Sequence, residues 1–182
     1  MNIVVLMKQV PDTYAERKLS ESDADRGSHL WSKLESDPDY RALARSIWAQ
    51  HFDGPPPPSM NTPAKLHAVI DTQIQRAAIA VAKLRARGVS VVFVRPPSGG
   101  RYLVFENQVF PRAQTWDVLL QRTGAPGIHF EDYPQLQGYV PPEWSHLTSA
   151  DAQRFTAALY QIVEQRYWHR VPPKGTRRNK PV

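Results

Sequence analysis

The chain has 182 residues, no cysteine, and a formal net charge of +6 from 23 Lys+Arg against 17 Asp+Glu. Without thiols, disulfides and thiolate metal sites are excluded, and 41% hydrophobic with 22% charged residues is the composition of a globular domain. The excess charge is local: removing Arg166, Arg170, Lys174, Arg177, Arg178 and Lys180 leaves 17 basic residues against 17 acidic ones, so the body is neutral, which argues against a basic nucleic-acid-binding surface.

Residues 1–22 read as a leader. Ile3-Val-Val-Leu-Met7 has the continuous apolar pattern of a buried parallel strand, with Gln9-Val-Pro11-Asp12 as the turn that closes it. The run is far shorter than a signal-peptide core, and nothing approaches a span of roughly 20 apolar residues. As written, the product is expected in the cytoplasm with no membrane contact. Residues 23–36 are polar and carry no clear pattern. Asp37-Pro38 then supplies an N-cap and a first-turn proline. Tyr40, Leu43, Ala44, Ile47 and Trp48 follow at helical spacing, which predicts an amphipathic helix over 38–50 with Trp48 as core packing. Gly54 and four prolines, 55–58, forbid helix and central strand and favour an extended loop.

Thr62-Pro63 opens the clearest helix. Leu66, Val69, Ile70, Ile74, Ala77, Ala78, Val81 and Leu84 share one face, and Gly88 ends it. Val89–Val94 follows as a buried strand, stopped by Arg95-Pro-Pro97. Helix, glycine, strand is the crossover half of an α/β unit. Ser98-Gly-Gly-Arg-Tyr102 is expected as a loop at the carboxyl end of that strand, where open α/β sheets place their sites. A short helix over 112–122, a strand at Gly127–Phe130, and a last helix from about Ser149 to Tyr167 complete the order. Thr148 and Asp151 have the spacing of a helix-capping pair. The expected fold is α/β, a parallel sheet with flanking helices. The expected domain is residues 23–168, followed by a basic disordered tail, 169–182.

The chemistry gathers in Glu143-Trp-Ser-His146, directly ahead of the last helix. A carboxylate three residues before an imidazole can orient the ring, and the ring can take a proton from a hydroxyl or a water. Ser98 is the one serine well placed on a loop at a strand end, but it lacks the strand–Gly-x-Ser-x-Gly–helix setting of a nucleophile elbow. Ser145 points elsewhere if Glu143 and His146 share a face. His129 reads as a hydrogen-bonded core or rim histidine; its combination with His146 and Asp132 has no metal-ligand spacing. Arg95 either binds an anion or pairs with Glu131 or Asp132.

Strand–helix–strand–helix with acid-x-x-His before the last helix resembles the carboxyl-terminal half of the SGNH (GDSL-type) hydrolases. VVFVRPPSGG (91–100), GIHFEDYPQLQG (127–138) and PEWSHLTSADAQRF (142–155) carry that resemblance, which spans roughly residues 24–168. It implies a three-layer, flavodoxin-like sheet, here incomplete. It also implies serine-type ester hydrolysis or O-acyl transfer on a small acylated substrate, without a cofactor, with His146 as base and Glu143 in the place of the family's aspartate. The family's Gly-Asp-Ser nucleophile block and its Gly-x-Asn-Asp block do not occur, so little stand-alone hydrolysis is expected. Where that first block would stand, KQVPDT (Lys8–Thr13) and the strand before it resemble the amino terminus of the electron transfer flavoprotein beta subunit. That resemblance ends after residue 22 and brings no glycine-rich phosphate loop. Two other readings remain: a nucleotide-binding electron carrier, from the leader, and a non-enzymatic binding or assembly module, from the proline loop and tail. An incomplete sheet would expose an edge and invite a homodimer.

Overall fold

The computed structural model describes residues 2–6 and 32–168; the expected turn at Gln9–Asp12 and the basic tail lie outside them. In chain order the elements are β1 (Asn2–Leu6), α1 (Ser32–Ser36), α2 (Pro38–Asp53), α3 (Pro63–Ala86), β2 (Ser90–Arg95), α4 (Gly100–Val109), α5 (Trp116–Thr123), β3 (Gly127–His129) and α6 (Ser149–Val163), which ends in a π-helical turn, Glu164–Trp168. The strands form one parallel sheet in the order β1-β2-β3. Ile3 lies opposite Val91 and Leu6 opposite Val94, so the first strand begins and ends one residue earlier than its apolar run.

β2 organises the core because alternate residues of a strand face opposite ways. Val92 and Val94 join Ile128, Phe130, Leu136 and the α6 residues Phe155, Leu159, Ile162 and Val163 in one apolar cluster. Val91 and Phe93 join Ile74 and Val81 of α3 and Trp116 and Leu119 of α5 in a second. Both faces of the central strand are therefore covered, which is why Val91–Val94 reads as a continuous apolar run rather than an alternating one. The fold is α/β with parallel strands, as expected.

The caps follow the sequence closely. Asp37 accepts from the amides of Asp39 and Tyr40, and Thr62 accepts from Lys65 N. Gly88, at φ +73, follows the end of α3. There Gly88 N donates to Arg85 O and Val89 N to Leu84 O, the paired bonds of a Schellman motif. Thr148 Oγ1 accepts from Asp151 N at 3.1 Å, but Asp151 does not return a bond to Thr148; its carboxylate pairs with Arg154.

Three expectations change. The loop expected at Ser98–Tyr102 stops at Gly99, and Gly100–Val109 is a helix. Its inward side is short, Tyr102 and Glu106, and the two glycines at its start, Gly99 as N-cap and Gly100 as first residue, hide it. The amino-terminal part of α3 is more exposed than its apolar face suggested: Leu66 and Val69 are only half-buried, and the fully buried positions are Ile74 and Val81. α2 buries no residue fully, so Trp48 is half-buried rather than enclosed. Among the described residues no helix is long and apolar enough to cross a membrane.

Candidate functional site

The loop carrying Glu143-Trp-Ser-His146 runs beside the carboxyl end of β2, because Gly99 N, four residues past the strand, donates to Trp144 O at 2.8 Å. Trp144 has φ +75, and among the described residues it is the one non-glycine with positive φ. A left-handed bulky residue is strained and persists only when its surroundings hold it. Here Arg45 of α2 donates to Pro142 O at 2.8 Å and places its guanidinium 5.6 Å from the Trp144 ring. The indole lies against Gly100, where an added Cβ would stand 2.4 Å from Trp144 Cδ1.

The left-handed turn brings Glu143 and His146 together. Glu143 Oε1 accepts from His146 N at 2.5 Å and meets His146 Nδ1 at 2.7 Å. Glu143 Oε2 accepts from the Trp48 indole N–H at 2.7 Å. The His146 amide and the Trp48 indole are donors whatever the histidine's tautomer, so both oxygens of Glu143 already accept, the arrangement that favours a carboxylate anion. An anionic acceptor requires a proton on Nδ1, which leaves the Nε2 lone pair as the basic position. The burial is asymmetric in the useful direction: the Glu143 side chain is 4% exposed and that of His146 57%. The acid is sequestered and the base faces outward.

Ser98 is placed differently. It is buried, its Oγ donates to Glu106 Oε2 at 2.6 Å, and Arg95 Nη2 stands 3.3 Å from the same hydroxyl. Arg95 in turn pairs with Glu106 at 2.5 Å, with side chains 10% and 4% exposed. The partner of Arg95 is therefore Glu106, not Glu131 or Asp132, because the unexpected helix α4 carries a carboxylate back beneath the strand end. Asp132 is taken by Arg112 through two bonds of 2.7 Å, which hold its carboxyl below the usual range. Ser98 thus bonds to the Arg95–Glu106 pair, and His146 bonds to Glu143. Between them lies Tyr102, fully buried, its phenol pushed well up by burial and then by the charge of Glu106, with the buried Ser145 hydroxyl facing it.

His129 is a buried, hydrogen-bonded histidine. Its Nδ1 accepts from Glu131 N at 3.3 Å, and its ring stacks on Phe130 and meets Trp116 edge-on. Burial, followed by the charges of Arg112 and Arg95, lowers its pKa to about 4. Because the unfolded chain binds this proton near the ordinary 6.5, it holds more protons than the folded chain between about 4 and 6.5. Stability should therefore fall as pH drops through that window. Urea denaturation at pH 7 and pH 4.5 should show the fall, and His129→Phe should remove part of it. Among the described residues no group of three acidic or histidine side chains could hold a metal ion.

Sequence reading missed Trp48 as a partner of the site: the bond to Glu143 joins residues 95 apart, and an indole at helical spacing looks like core. The one sign was its neighbour Arg45, a charge on the inward side of α2. A groove of about 430 Å³ between the proline loop and α3, lined by Pro58, Lys65, Val69 and Arg76 among others, shares no residue with this site. No family model matches the chain, and searches of curated proteins and of solved structures gave no match.

Proposed function

We propose that the chain carries the acid–base half of an SGNH-type ester hydrolase or O-acyltransferase site, on an incomplete three-layer, flavodoxin-like sheet. His146 is the general base, acting through Nε2 on a hydroxyl. Glu143 fixes the ring's tautomer and stabilises the imidazolium once the proton has moved. The observation that carries this reading is the buried carboxylate bonded to Nδ1 of an exposed imidazole, in a loop entering the last helix. The two apolar clusters on opposite faces of β2 support the scaffold half of the proposal.

The nucleophile is the missing member. The Ser98 hydroxyl donates to Glu106 and is not aimed at His146. Without a serine and oxyanion donors the largest catalytic contribution is lacking, so the purified chain should hydrolyse short acyl esters barely above background. Turnover that is abolished by His146→Ala and retained by Ser98→Ala would reveal a nucleophile elsewhere in the chain and overturn this part of the reading.

A further inference from the structure

We propose that Trp48 is a positioning residue: by holding one oxygen of Glu143 it fixes the other, and so fixes the ring of His146. The inference rests on the acid–base reading of Glu143 and His146. The two carboxylate oxygens have divided duties. Oε1 takes both bonds from His146, and Oε2 takes the indole N–H. A carboxylate turns easily about its last torsion, a broad and roughly two-fold one. The His146 bonds come from the same short turn and move with it. The Trp48 bond comes from another helix and supplies an external reference.

Trp48 is itself held. Its ring meets Tyr102 edge-on at 5.1 Å and 89°, and stacks on Phe52 at 6.1 Å. Tyr102 is fully buried, so the ring rests against a fixed surface. Three residues earlier on α2, Arg45 grips the same loop at Pro142 O and over Trp144. α2 buries no residue fully, so these polar and ring contacts are a main part of its attachment. An indole N–H is a donor only and does not titrate, which suits it to hold an anion at any working pH.

The test uses the full chain labelled with ¹⁵N-histidine, with the His146 ring signals identified by their loss in His146→Ala. The parent should show His146 with its proton on Nδ1. Trp48→Phe keeps a stacking ring and deletes the N–H; it should leave a cooperatively folded protein in which the His146 Nδ1–H signal is lost and the tautomers mix. Unchanged His146 ring shifts in folded Trp48→Phe would overturn the proposal. A second measurement does not depend on that variant folding. Deuterium exchange of the Trp48 indole proton should be about tenfold faster in Glu143→Ala than in the parent, the factor expected for loss of one charge-assisted bond; equal rates would overturn the proposal. Both readouts follow ring geometry rather than turnover, so a failure of the acyl chemistry would count against the acid–base reading alone.

Discussion

Arg95→Leu is expected to destabilise the fold by about 3–5 kcal/mol, the usual loss when one partner of a buried ion pair is removed. The reason is the environment of Glu106. Its carboxylate is 4% exposed, and the variant removes the guanidinium that sits on Glu106 Oε2 beside the Ser98 hydroxyl. Folded domains have only about 5–15 kcal/mol in total, so the variant should unfold at markedly lower urea. Arg95→Leu combined with Glu106→Leu should recover much of the loss, because the stranded charge goes with the second substitution. A single variant within about 0.5 kcal/mol of the parent, the range of ordinary surface changes, would mean that Glu106 is not buried as described.

The second large effect is expected at Gly100. This residue sits at φ +52, and an added Cβ would meet the Trp144 indole at 2.4 Å. Gly100→Ala combines left-handed strain of about 1–2 kcal/mol with overpacking of about 1–3 kcal/mol. Gly88→Ala separates the two: Gly88 has φ +73 with nothing within 4 Å of the added atom, so it should carry the strain alone. The excess at Gly100 is the displacement of Trp144, the residue that sets the turn between Glu143 and His146. Gly100→Ala should therefore also disturb the His146 ring signals, and Gly88→Ala should not.

These two sites mark where sequence reading reached and where it stopped. The buried strand β2, the long helix α3, the cap at Thr148 and the inward residues of α6 are local patterns, and local patterns are written in periodicity and capping chemistry. Glu143 and His146 meet across three residues, so their pairing was legible as well. What was not legible depends on residues far apart in the chain. Trp48 reaches Glu143 only because α2 lies across the 142–144 loop, and Arg95 finds Glu106 only because a helix starts at the second of two glycines, Gly100. The signal for α4 was present in Tyr102 and Glu106, four residues apart, but a buried glutamate on a helix face reads as a solvated position until its partner is known. The left-handed turn at Trp144 had no local sign, since neither glycine nor asparagine occupies it.

The central claim is that His146, oriented by Glu143, acts as a base on a hydroxyl, and it is tested most directly by supplying that hydroxyl. Acyl transfer from a p-nitrophenyl ester to an added simple alcohol should be measured for the parent, His146→Ala and Ser98→Ala at the same pH. The account predicts transfer that appears only with the added alcohol and rises with its concentration in the parent and in Ser98→Ala, hydrolysis near background without the alcohol, and background transfer in His146→Ala. Equal rates in all three proteins, or a loss confined to Ser98→Ala, would contradict it.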